Sequence, residues 1–294
     1  MSKLIIPKFN SLQLPQGVSF ELMPSALARW NGALAAKEED EDKDATIDIY
    51  DIIGSDWMGS GWTAKRVAGI LRNNRKKNIT VNLNSPGGDL FEGIAIYNLL
   101  RDHDGEITTR TVGLAASAAS VIAMAGDTIQ IARAGFMMIH NVWVLAMGNR
   151  NDLRDAADQL ETFDDTLASV YAARTKNEKK NIAKLMDKET WFSGEQAIED
   201  GFADELMPAD QVEEKEPADA KASLRALDAQ LARRGISRNE RRTMIKAFKD
   251  LFGTPSAAEL QDRSMQDAAP KATQDAGDGE VKRMVDSFLE SIAT

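Results

Sequence analysis

The chain has 294 residues, 43% of them hydrophobic, with no cysteine and a formal net charge of −10. The lack of cysteine removes disulfides, zinc–thiolate sites and cysteine nucleophiles together, and the net negative charge argues against general affinity for nucleic acid. No apolar run approaches the ~20 residues of a membrane span, and positions 1–20, broken by Lys8, Asn10, Pro15 and Gly17, carry no signal-peptide pattern, so a soluble intracellular protein with a sizeable core is expected.

The acidic run 37–44 reads as a solvated loop closing an N-terminal arm over 1–45. Beyond it, Ile47-Asp48-Ile49-Tyr50-Asp51-Ile52 alternates as a half-buried strand does. The patterns that follow predict a helix over 64–73, a strand over 79–83, a helix over 90–101, a strand over 107–112, a helix over 115–125 and short strands over 128–131 and 136–139. Strands alternating with helices imply an α/β domain with parallel pairing and right-handed crossovers, assigned to 46–207. Trp143, Val144, Leu145, Met147 and Gly148 form a loop or strand just after His140. Over 151–173, Leu153, Ala157, Leu160, Phe163, Leu167, Val170 and Tyr171 recur at the spacing of a long amphipathic helix.

After Leu206 the composition changes. Residues 208–222, rich in acids, Ala and Pro, suit a linker with too few apolar groups to pack. The stretch 221–252 holds nine Lys or Arg against three acids, and Ser237-Arg238-Asn239-Glu240 spells a capping box opening a helix with Met244, Ile245, Phe248, Leu251 and Phe252. Such a basic face either meets acidic partners or is simply solvated, the commoner case. Residues 253–280 are low in large apolar groups and read as disordered, and Val281, Met284, Val285, Phe288, Leu289 and Ile292 mark a short terminal amphipathic helix that cannot stand alone. A 223–294 tail of this kind suggests a tethered docking peptide.

Three segments carry chemistry. Ser117 sits among small residues in Gly113-Leu114-Ala115-Ala116-Ser117-Ala118-Ala119-Ser120, at the start of the predicted helix, where unpaired backbone N–H groups collect. Pro86-Gly87-Gly88 follows a strand and precedes a helix, and glycine there allows an N–H to face a ligand. A serine hydroxyl needs a neighbouring base, and the charge developing on the attacked carbonyl needs fixed N–H donors. The chain has two histidines. His140 ends an apolar strand, whereas His103 follows a helix between Asp102 and Asp104 and reads as a solvated helix-end residue. Ser120, one turn beyond Ser117, shares its helix face, and its ordinary role is a bond to its own backbone. Together these features read as a serine hydrolase.

In order along the chain, Asn84-Ser85-Pro86-Gly87-Gly88, the 113–126 stretch around Ser117, Met138-Ile139-His140 and Glu189-Thr190-Trp191-Phe192-Ser193, leading into 197–204, resemble the Clp protease proteolytic subunit (ClpP). The likeness is greater to the ClpP-related head maturation proteases of tailed bacteriophages, and it spans 47–206. It implies a ClpP/crotonase-like spiral of repeated strand-strand-helix units, a long handle helix that packs rings together, and flexible N- and C-terminal extensions. It further implies Ser117 as nucleophile, His140 as general base, the amides of Gly88 and Ala118 as oxyanion hole, and Glu189 as the third triad member. ClpP usually carries aspartate at that last position; a glutamate can support a histidine equally, and Asp187 stands two residues away as the alternative. In relatives the stretch after the histidine helps to bind an extended peptide by strand addition. No metal or organic cofactor is implied. The expected partners are capsid or scaffold proteins as substrates and further copies of the chain in a ring, within procapsids assembling in a bacterial cytoplasm. The alternatives are a housekeeping subunit served by an unfolding ATPase and a non-catalytic crotonase-like scaffold protein.

Overall fold

A computed structural model describes residues 18–36, 45–55, 59, 61–208, 212–214 and 220–252. The acidic run 37–44, the stretch 253–280 and the terminal amphipathic segment 281–294 lie outside the described residues. The chain divides into two compact units, Met1–Glu214 and Lys215–Thr294.

The first unit is built on a sheet whose strands β3 (Ala45–Ile49), β4 (Ile79–Ser85), β5 (Ile107–Ala116), β6 (Thr128–Ile131) and β10 (Glu205–Leu206) run parallel and lie in the order β10-β6-β5-β4-β3. Helices α2 (Ala64–Asn73) and α3 (Leu90–Arg101) join the first strands, each opened by a side-chain cap, Thr63 on the Arg66 amide and Asp89 on the Glu92 amide. β5 is long enough to hold two partners in succession on one edge. Thr108–Thr111 pairs with β6, and its far end pairs with β7 (Phe136–Ile139), which carries β9 (Thr190–Ser193) antiparallel on its other side. The sheet therefore branches near Val112, and its carboxyl ends gather the loops that carry the chemistry, as open α/β sheets do.

Ile47, Val81, Leu83, Val67, Ile94, Ile122 and Phe163 belong to one continuous core between the sheet and its helices. The long helix α5 (Arg150–Thr175) contributes mainly through its second half, where Phe163, Leu167, Ala168, Val170 and Tyr171 are buried, while Leu153 in its first half is exposed. The stripe predicted for a handle thus divides, one half covering its own domain and the other facing outward.

Part of the N-terminal arm is folded. Residues 18–36 form β1 (Val18–Phe20), α1 (Pro24–Arg29) and β2 (Leu34–Ala36), and the buried Trp30 donates its indole N–H to the Asn84 carbonyl at 2.9 Å. β2 pairs antiparallel with β11 (Val212–Glu214), within the stretch whose composition suits a linker. In the second unit, α8 (Ala220–Arg233) and α9 (Arg238–Phe252) are joined through Gly235 and the predicted Ser237–Glu240 capping box, in which Glu240 accepts from the Ser237 amide at 3.1 Å. Arg241 turns inward to Asp228 at 2.8 Å, so it is subtracted from the basic face.

Candidate active site

β5 runs further than its sequence pattern suggests. A helix is expected from Ala115, yet Ala115 and Ala116 are strand and α4 covers Ala118–Ala123. The alanine run favours helix locally, but pairing on both edges prevails, with Ala115 opposite both Ser85 and Met137. Ser117 is left at the turn between strand and helix with φ 55 and ψ −126, a conformation costing a non-glycine residue about 1–3 kcal/mol. The reversal holds its hydroxyl clear of both elements, the arrangement of a strand–nucleophile–helix elbow.

Two further loops close on it. His140, at the end of β7, is 8% exposed, and its Nε2 lies 2.7 Å from Ser117 Oγ. Burial pushes its pKa down to about 4, against a smaller upward pull from the Glu189 carboxylate, so the ring is neutral at pH 7 and able to accept the serine proton. Gly87 and Gly88 have φ of 92 and 147, in the region open to glycine. A Cβ on Gly87 would stand 2.7 Å from Ser117 Cβ, so only glycine lets this turn lie against the nucleophile. Its carbonyl accepts from Ile53, and the Asp89 amide donates to the Ile53 carbonyl. Among the described residues these bonds leave the Gly88 and Ala118 amides without an acceptor, at the rim of the cavity that holds Ser117 and His140. Two such donors beside a nucleophile can hold a developing oxyanion.

Glu189, with φ 50, lies close enough to bias His140 electrostatically, while its Oε1 accepts the Trp191 indole N–H at 3.1 Å. Asp187 accepts from the Asn141 side chain at 2.8 Å. Among the described residues neither acid hydrogen-bonds the imidazole, whose side-chain partner is Ser117; of the two, Glu189 is the one whose charge raises the His140 pKa. Ser120 is fully buried and bonds the Ser117 carbonyl at 2.6 Å and the Tyr171 hydroxyl at 2.8 Å, so it braces the elbow from behind. His103 differs from its sequence reading. It is buried, with Nε2 2.9 Å from the Lys77 carbonyl ahead of β4, at the opposite end of the strand from the site. The aspartates flanking it in sequence suggest solvent, but the helix end turns it onto the protein.

Sequence reasoning missed Asp164, whose carboxylate accepts the Val142 amide at 2.6 Å, and the contributions of Phe20 and Glu21 to the cavity wall. Asp164 lies on the polar side of a helix read for its apolar stripe, and the arm has no periodicity to reveal it. Among the described residues no group of three or more His, Asp or Glu could hold a metal ion, and no helix is long and apolar enough to cross a membrane.

The region that carries these residues is similar to known proteins. The pattern of the family described as Clp protease matches residues 44–210. The chain is 31% identical over 139 residues to an ATP-dependent Clp protease proteolytic subunit of Deinococcus radiodurans, covering 46% of this chain and 67% of that one. It is 30% identical over 153 residues to an ATP-dependent Clp protease proteolytic subunit 2 of Thermobifida fusca, covering 49% and 74%. Among solved structures, a ClpP1 point mutant from Listeria monocytogenes aligns with a TM-score of 0.48 and 21% identity, over 55% of this chain and 90% of its own.

Proposed function

The chain belongs to the Clp protease family, and from that premise we propose that it is a serine endopeptidase of phage head maturation, cleaving capsid or scaffold proteins inside procapsids in a bacterial cytoplasm. The 2.7 Å approach of Ser117 Oγ to a neutral His140 carries the enzymatic part of this reading. Ser117 attacks the scissile carbonyl as His140 takes its proton, and the Gly88 and Ala118 amides receive the oxyanion. His140 then returns the proton to the leaving amine, and water resolves the acyl-enzyme by the same steps. Glu189 supports the imidazolium. The half-exposed α5 is suited to pack one ring of copies against another.

The viral part rests on the segments flanking the matched region 44–210, among them a capped helical unit that a compact proteolytic subunit does not need. The relatives' names fit a second reading about as well, a subunit served by an ATPase. Co-expression with the capsid and scaffold proteins of a tailed phage separates them. Processing by wild type and not by Ser117→Ala, without any ATPase, is expected; processing of folded substrate only with a Clp ATPase and ATP gives the second reading.

A further inference from the structure

An extended segment of the chain itself borders the cavity that holds Ser117 and His140. β1 adds antiparallel to β8 (Val144–Ala146), with Val18 opposite Ala146, Ser19 opposite Leu145 and Phe20 opposite Val144. β8 begins four residues after His140, and among the described residues it has no other strand partner. Ser19 and Leu145 are exposed while Val18 and Phe20 are half-buried, so the alternation of a strand turns Phe20 inward. Its ring meets Phe91 edge-on at 5.2 Å, and Phe91 meets Phe163 in the same way at 5.6 Å. Phe20 and Glu21 then wall a cavity of about 20 Å3 with Ser117 and His140. That space admits about one water and no substrate side chain.

We infer that residues 18–21, seated on the β8 edge where relatives bind an extended peptide, are a resident stand-in for substrate: the Phe91 wall selects an aromatic side chain beside the scissile bond, and the site stays closed until this segment withdraws. The inference rests on the serine peptidase reading of Ser117. A three-residue, two-stranded ribbon is marginal by itself, so Phe20 packing holds the segment in place and a competing peptide can displace it.

The absence of cysteine allows a direct test in the full chain. Ser19→Cys with Leu145→Cys places one thiol pair at directly opposed positions on the outer face of the ribbon, a separation a disulfide can span. Labelling of Ser117 by a fluorophosphonate should be at least about tenfold slower in the oxidised form and recover on reduction. Phe20→Ala should label about tenfold faster than wild type, the change expected when apolar burial of this size is lost. It should also hydrolyse a fluorogenic peptide with Phe beside the scissile bond faster than the same peptide with Ala. Equal labelling of oxidised and reduced forms, with Phe20→Ala no faster than wild type, overturns the inference while leaving the peptidase intact. No labelling of Ser117 in any form overturns the peptidase reading and the inference with it.

Discussion

The carboxylate of Asp164, on the long helix α5, accepts the Val142 amide at 2.6 Å, two residues beyond the base His140. Together with Asp187 on the Asn141 side chain, it fixes the loop that leaves the active site from two elements, α5 and the end of α6 (Lys179–Asp187). Burial, with Asp187 and Glu161 nearby, pushes the Asp164 pKa up from 3.8 to about 6, against the stabilising Val142 bond.

This sets a stability prediction. The folded protein holds the Asp164 proton more tightly than the unfolded chain, so the group favours folding below pH 3.8 and that contribution is lost as pH rises to about 6. Asp164→Asn keeps an oxygen acceptor for Val142 and removes the charge. At pH 7.5 it should be more stable than wild type by about 1 kcal/mol, after discounting for partial exposure. Denaturant titrations at pH 7.5 and pH 4 check this, with the difference vanishing at the lower pH.

His140 sets the acid limb of activity. With burial holding its pKa at about 4, kcat/KM should stay level down to near pH 5 and fall as the imidazole protonates through about 4, well below the ordinary 6.5. The Glu189 charge favours the imidazolium, so Glu189→Gln should move the limb lower still and reduce kcat/KM roughly tenfold, equivalent to ~1.4 kcal/mol of lost transition-state support. Asp187→Asn should leave the limb in place. A pH–rate profile in which Asp187→Asn shifts the limb and Glu189→Gln does not reverses the assignment.

The glycine turn is a steric requirement of the nucleophile. In Gly87→Ala the new methyl meets the Ala116 carbonyl and Ser117 Cβ at 2.7 Å, with φ at 92. Displacing an elbow and its adjoining oxyanion donor should cost about 10²–10³ in kcat. Steady-state kinetics alongside circular dichroism distinguish this from unfolding.

Much of the fold is legible in the sequence because its strands and helices alternate cleanly. Helices over 64–73 and 90–101 and strands over 128–131 and 136–139 coincide with those observed. The residues brought to the site were legible too, since Ser117, His140 and the glycine turn are chemically distinctive types in an apolar setting. The alanine run misleads because small residues mark close packing between strands as readily as a helix. Three-residue strands such as β1 and β2 are too short for any period to show, and their positions follow from pairing with distant partners at Ala146 and Val212. The placement of His103 depends on a long-range bond to the Lys77 carbonyl, which no local pattern encodes.

Mass-spectrometric mapping of a fluorophosphonate adduct on the purified full chain tests the Ser117–His140 pair most directly. The adduct should sit on Ser117, persist in Ser120→Ala and disappear in His140→Ala. An adduct on Ser120, or full-rate labelling of Ser117 without the imidazole, contradicts the assignment.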